Sequence, residues 1–253
     1  MARADDLTAA LAAQGVNIPC EHVPTIDSTN AWAERQLTSG RRAPFALLAD
    51  AQSAGVGQRG HQFDSPARTG LYFTVVLPVT NSQLTLLMPA AGVAASRACT
   101  SVSGTTPRLK WVNDLFVGHN KISGILAWIR QDPSGQRVAV LGWGLNLALP
   151  RTQPIVANQP VGALWATLPH TDPRPALITA FLKQLHQLLA EPATIMPAYR
   201  QLALGLGWPV HIDDGQRQLD GILSGFANNG NAIVKTATTT VAVAHGTLRY
   251  KQF

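Results

Sequence analysis

No stretch of this sequence is long and apolar enough to cross a membrane. The longest apolar run, around Leu84–Ala95, is broken by Pro89 and Gly92 and closes at Arg97, whereas a spanning helix needs ~20 such residues. The N-terminal stretch MARADDLTAALAAQG has Asp5 and Asp6 where a secretory signal would have its positive flank and apolar run, which argues against export. Cysteine is scarce. Cys20 and Cys99 are far apart in a chain of 253 residues, long enough to fold without staples, so a disulfide scaffold is not indicated. The cytoplasm is the compartment these absences predict.

Charge is sparse as well, at 13% of residues, with 20 Lys and Arg against 14 Asp and Glu giving a net +6. That balance permits an anionic partner. The basic residues form no block longer than Arg41-Arg42, so the footprint of a DNA-binding tail is missing. The seven histidines are scattered without metal-ligand spacing, which leaves no protein-built metal site to expect. What the chain does have is core material, with 46% hydrophobic residues. Its length suits one large domain plus a small one, because single cores stop growing near ~250–300 residues.

The pattern along the chain predicts a short helix over residues 5–14, a strand over 21–26, and a second helix opened by Asp27-Ser28-Thr29-Asn30, side chains able to cap free N–H groups. Strands are expected at 45–51 and 70–77, a helix at 84–103, and then four strand-like runs at 108–111, 115–117, 121–131 and 137–143. Helical spacing returns at 175–189, where Leu177, Phe181, Leu185 and Leu188 recur at helical intervals, and again at 194–204. After Gly207 the composition changes to short β-prone runs joined by Asp213-Asp214-Gly215 and Asn228-Asn229-Gly230. Such closely spaced turns fit a small barrel of about five strands. The expected division is therefore 1–204 and 205–253.

Four blocks hold the chemistry. Gln52-Ser53-Ala54-Gly55-Val56-Gly57-Gln58-Arg59-Gly60-His61 contains Gly-x-Gly-x-x-Gly after a strand. A dinucleotide fingerprint would continue into a helix, but Phe63-Asp64-Ser65-Pro66 and another strand follow, so that reading is disfavoured. A loop whose glycines let backbone N–H groups approach an anion fits better, and an ordinary surface hairpin is the bland alternative. Farther on come Lys110-Trp111-Val112-Asn113-Asp114 and, eleven residues after Lys110, Lys121-Ile122-Ser123-Gly124-Ile125-Leu126. Gly142-Trp143-Gly144-Leu145-Asn146 then ends a strand with two glycines, a pattern suited to close approach of a ligand.

In this order, with Ser28-Thr29-Asn30 before them, these blocks resemble the biotin protein ligase family over about residues 20–250. The resemblance implies an α+β fold: a mixed β-sheet with helices, as in the class II synthetase-like biotin/lipoate ligase catalytic core, followed by a small C-terminal SH3-like barrel. It implies that biotin and ATP, with Mg²⁺, are used to form biotinyl-AMP. The acceptor would be a lysine on the biotin carboxyl carrier domain of acetyl-CoA carboxylase or a related carboxylase. The helix-turn-helix of the family's repressor members has no counterpart here, so no DNA partner is expected. A strand edge of the central sheet could pair across a two-fold axis, which allows for a homodimer.

By the same resemblance, Ser28, Thr29, Asn30 and Gln52 take the ring of biotin, and Gly55, Val56, Gly57 and Gln58 complete its pocket. Hydroxyl and amide side chains suit a ureido group, which needs donors and acceptors together. Lys121 falls at the biotin carboxylate. Gln58, Arg59, His61, Lys110, Asn113, Asn146 and Trp165 fall on the ATP side, with Asn146 near the phosphates or their Mg²⁺ and Trp165 against adenine. Lys121, Arg59 and Asn146 are the residues expected to act in the chemistry.

The glycine loop departs from the family pattern Gly-Arg-Gly-Arg-Arg-Gly-Arg-x-Trp. Val56, Gln58 and His61 stand in place of arginines, and Phe63 in place of tryptophan. Gln58 supplies no fixed positive charge, and one charge-assisted hydrogen bond is worth roughly 1.5–3 kcal/mol. A weakly catalytic or non-catalytic biotin binder is therefore one alternative. A lipoate or octanoate ligase-type enzyme, of related fold, is the other.

Overall fold

The computed structural model describes residues 4–57, 60, 63–150 and 160–251. After helix α1 (Ala4–Ala13), strand β1 (Cys20–Ile26) and helix α2 (Thr29–Thr38) come β2 (Phe45–Gln52) and β3 (Gly70–Pro78). The short α3 (Asn81–Leu84) and long α4 (Leu87–Ser103) precede the strands β4 (Arg108–Lys110), β5 (Asp114–Val117), β6 (Asn120–Gln131) and β7 (Arg137–Asn146). Then follow α5 (Arg174–Ala190) and α6 (Ile195–Leu202), and five strands: β8 (Pro209–Asp213), β9 (Gln218–Phe226), β10 (Ala232–Lys235), β11 (Thr240–Val243) and β12 (Thr247–Tyr250).

The first seven strands form one mixed sheet in the order β1-β2-β3-β7-β6-β5-β4, with β1 and β2 parallel and the remaining pairs antiparallel. The α+β expectation is met. The helix expected at 84–103 is divided: the chain leaves α3 at Leu84 and restarts at Leu87. Pro89, which reads as an interruption, sits in the first turn of α4, where its missing N–H has no intrahelical partner to lose.

Alternation along β2 decides which side is core. Ala46 and Leu48 join the main core with α1, α4 and α5, while Phe45 and Leu47 face the other way into a smaller cluster with Trp32, Ala33 and Leu37 of α2. A period of two puts successive side chains on opposite faces. The α2 face continues through Val76 on β3 and through Val138 and Val140 on β7. One helix covers only part of this face, and the uncovered remainder holds the site described below.

The C-terminal strands form an antiparallel sheet in the order β11-β10-β9-β8-β12. These ladders alone do not close it into the expected barrel. Val210, Ile212, Leu223, Phe226 and Leu248 of this sheet belong to the same buried cluster as Met196 and Tyr199 of α6, so the small sheet shares a core with the larger unit. Three bonds fix the junction: Tyr250 Oη donates to Leu204 O at 2.7 Å, Arg200 Nε to Phe226 O at 3.0 Å, and Trp111 Nε1 to Gly230 O at 3.0 Å. Among the described residues no helix is long and apolar enough to span a membrane.

Candidate active site

On the α2 face the residue pattern changes along two strands. Val76 gives way to Thr74 and Tyr72 on β3, and Val138 and Val140 give way to Gly142 and Gly144 on β7. The sheet register pairs Thr74 with Gly142, Tyr72 with Gly144, Gly144 with Gly124, and Gly142 with Leu126. Three glycines on adjoining strands remove the side chains that would fill this surface. The result is a solvent-open cleft walled by α2, the glycine loop and β6. Thr29, Asn30, Gln52, Val56, Gly57, Asn113 and Lys121 all line it.

At one end the polar side chains hold each other. Gln52 Oε1 accepts from Thr29 N at 2.8 Å and Thr29 Oγ1 at 3.0 Å, while Gln52 Nε2 donates to Ser65 Oγ at 2.8 Å. Ser65 Oγ donates in turn to Phe63 O at 2.9 Å. The buried Thr74 Oγ1 lies 2.8 Å from Thr29 Oγ1 and 2.7 Å from Asn30 Oδ1, a choice of acceptors for one proton. This order follows from local structure. Ser28 is the extended N-cap of α2, its Oγ accepting from Ala31 N at 3.4 Å, so Thr29 and Asn30 begin the helix where β3 passes. Ser28 is buried in that capping role and is not part of the cleft lining.

At the other end lies Lys121, with Nζ 2.7 Å from Asp114 Oδ1. The pair is partly covered, with side-chain exposures of 29% and 18%. It rests over Gly124, where a Cβ would come 3.5 Å from Asp114 Oδ1 and 3.7 Å from Lys121 Nζ. Asn113 supports this wall, its Nδ2 donating to Ile125 O at 2.6 Å. Asp114, Thr74, Ser65, Tyr72 and Phe63 received no role from the sequence. Asp114 had its place in the Lys110–Asp114 block, Phe63 its place at the family's tryptophan position and Ser65 its place before Pro66 after the glycine loop, whereas Thr74 and Tyr72 carried no signal.

The glycine loop is gathered at its base, where Phe63 N donates to Gly55 O at 2.9 Å. A Cβ at Gly55 would sit 2.8 Å from Ser65 Oγ, so this glycine serves close packing beneath the loop rather than the cleft lining. The Phe63 ring meets Tyr72 edge-on at 6.3 Å and lies over Gly144, where a Cβ would be 2.8 Å from it. Gln58, Arg59 and His61 lie outside the described residues.

Three other expected residues lie apart from the cleft. Lys110 Nζ sits 5.6 Å from the Phe116 ring centre and 5.7 Å from that of Tyr250. Burial lowers its pKa against the opposing pull of Asp114, with Lys121 and Arg249 adding to the lowering. Asn146 Nδ2 donates to Gly162 O at 2.9 Å, and Trp165 packs against the main core with its backbone N–H donating to Leu147 O at 2.9 Å. Asn146 and Trp165 thus anchor the segment beside the cleft. The cysteines stay out of the chemistry: both are buried and unpaired, and burial pushes the Cys20 thiol up to about 12.

Comparison with known proteins fits this arrangement. A family model described as the biotin/lipoate A/B protein ligase family matches residues 23–146. The biotin–[acetyl-CoA-carboxylase] ligase of Paracoccus denitrificans is 30% identical over 222 residues, covering 83% of this chain and 91% of that protein. This chain belongs to the biotin protein ligase family. The bifunctional ligase/repressor BirA of Escherichia coli K12 is 26% identical over 226 residues, 84% of this chain and 68% of its own length. In fold, the biotin protein ligase from Aquifex aeolicus, solved with biotin and ATP, superposes with a TM-score of 0.79 at 24% identity, covering 92% of this chain and 99% of that one. The residues that line the cleft, from Thr29 to Gly144, all fall within the matched span.

Proposed function

We propose that this chain is an ATP-dependent biotin protein ligase, forming biotinyl-AMP and transferring biotin to a lysine on the carrier domain of a carboxylase. The observation that carries the reading is one cleft with a hydroxyl–amide network of Thr29, Asn30, Gln52 and Thr74 at one end and the Lys121 ammonium at the other. Such a network offers donors and acceptors to a ureido ring, and the ammonium offers a counter-charge to a carboxylate.

In the first step a carboxylate oxygen attacks the α-phosphorus of ATP, the bond to the β-phosphate breaks, and pyrophosphate leaves. In the second, the acceptor amine attacks the acyl carbon, AMP leaves, and the amine loses one proton. Neither step needs a side-chain nucleophile. The barrier to the first is bringing two anions together, so the protein's part is positioning and charge. Lys121 holds the carboxylate. Arg59 and the loop N–H groups are assigned to the phosphates, with Asn113, Asn146 and Trp165 on the nucleotide side.

Mg²⁺ belongs to this reading as the companion of the triphosphate. Among the described residues no group of three His, Cys, Asp or Glu side chains could hold a metal, and the cleft's Asp114 is already paired. A hard cation held chiefly by phosphate oxygens and water needs no protein cage. The reading also implies a cytoplasmic enzyme with its domain boundary near residue 205. The test is to mix protein, biotin and MgATP and follow pyrophosphate release and biotinyl-AMP by mass. Biotin-dependent release is expected, and release driven equally by lipoate would overturn the substrate assignment.

A further inference from the structure

We propose that Asp114 is a positioning residue that acts as a resident counter-ion for Lys121, holding the ammonium in place while opposing the entry of a carboxylate ligand. The inference rests on the assignment of Lys121 to the biotin carboxylate. Its basis is the 2.7 Å pair at the cleft wall, both members of which line the cleft. Asp114 lies opposite Gly124 in the β5–β6 ladder, and Lys121 opposite Phe116, with a register shift at Leu115/Phe116. That irregularity brings the carboxylate and the ammonium together over the bare surface of Gly124.

A partly buried ammonium without a partner is costly. In the empty cleft Asp114 removes that cost. When a carboxylate binds, the three donors of Lys121 must serve two anions, and the two carboxylates repel each other. After the acyl phosphate forms, the substrate no longer has a free carboxylate, and Asp114 again supplies the counter-charge. Asp114 therefore weakens capture of the acid while keeping Lys121 aimed at the same point through the cycle.

The test compares biotin with biotinamide, which is the same ring and chain without the charge. Asp114→Asn keeps the acceptor oxygen that orients Lys121 and removes only the negative charge. Biotin affinity by calorimetry should rise about five- to tenfold, the scale for removing one like charge from a half-solvated site, while biotinamide affinity stays put. In pyrophosphate release the KM for biotin should fall and kcat should not rise. Asp114→Ala, which also removes the acceptor, should lower kcat. If Asp114→Asn melts early, Asp114→Ser keeps a short acceptor and gives the same comparison. Weaker biotin binding in Asp114→Asn, or an equal change for both ligands, overturns the counter-ion role and leaves the ligase reading intact. Failure of the wild-type protein to bind biotin overturns both.

Discussion

The side chain of Asn30 occupies the space that any side chain at position 142 would need: a Cβ there would overlap its carboxamide. Gly142 pairs with Thr74 across β3 and β7, and Thr74 Oγ1 lies 2.7 Å from Asn30 Oδ1. A helix start, a strand hydroxyl and an absent side chain thus fix one amide at the cleft floor. Gly142→Ala should push Asn30 aside and lower biotin affinity by about tenfold or more, the worth of one or two directed hydrogen bonds. Calorimetric titration measures this, and unchanged affinity would mean that Asn30 does not meet the ligand.

Thr74→Val tests the same network from beneath. The substitution keeps β-branching on a central strand and removes the hydroxyl shared by Thr29 and Asn30. The expected stability loss is about 1–2 kcal/mol in urea unfolding, because buried partners lose a hydrogen bond, and biotin binding should weaken in parallel. A loss of stability with unaltered binding would confine Thr74 to the fold.

Trp111 joins the Lys110–Asp114 block to the C-terminal sheet through its buried bond to Gly230 O. Trp111→Phe leaves that carbonyl without its donor, and a cost of about 1–3 kcal/mol is expected. Since Asn113 and Asp114 follow directly on this anchor, the variant should also show a raised KM for biotin. Thermal unfolding and pyrophosphate release measure the two effects.

A pH effect should arise at the end of β2. Burial pushes Asp50 up, but His22 Nε2 at 2.8 Å and Arg174 Nη1 at 2.6 Å outweigh it and hold the carboxyl below its ordinary range, with Asp172 as the second partner of Arg174. A depressed folded pKa gives stability that is present above the unfolded value, ~3.9, and is lost as pH falls through the folded one. Wild-type stability should therefore decline more steeply than that of Asp50→Asn between about pH 5 and pH 3. Parallel curves in urea titrations would contradict the linkage.

The elements were legible because period and punctuation agree with tertiary packing. Leu177, Phe181, Leu185 and Leu188 recur helically and are all buried, and the turns after Gly207 join the strands of the second sheet. Ser28 could be read as a cap from type and position. Thr29, Asn30, Gln52 and Lys121 could be read as one site only through their resemblance to a known pattern, since their meeting depends on sheet register. Thr74 and Tyr72 sit in an ordinary strand sequence and acquire meaning from the glycines opposite them. Asp114 stood in a quoted block without a role until the bulge brought Lys121 to it.

The central claim is a covalent one and has a direct measurement. Purified protein is incubated with biotin, MgATP and the biotin carrier domain of a carboxylase, with lipoate in a parallel reaction, and the carrier is weighed by intact mass spectrometry. The account predicts a gain of one biotinyl group that requires ATP and is lost in Lys121→Ala but not in Lys183→Ala, an exposed position on α5 outside the cleft lining. An unmodified carrier, or a gain seen only with lipoate, would contradict it.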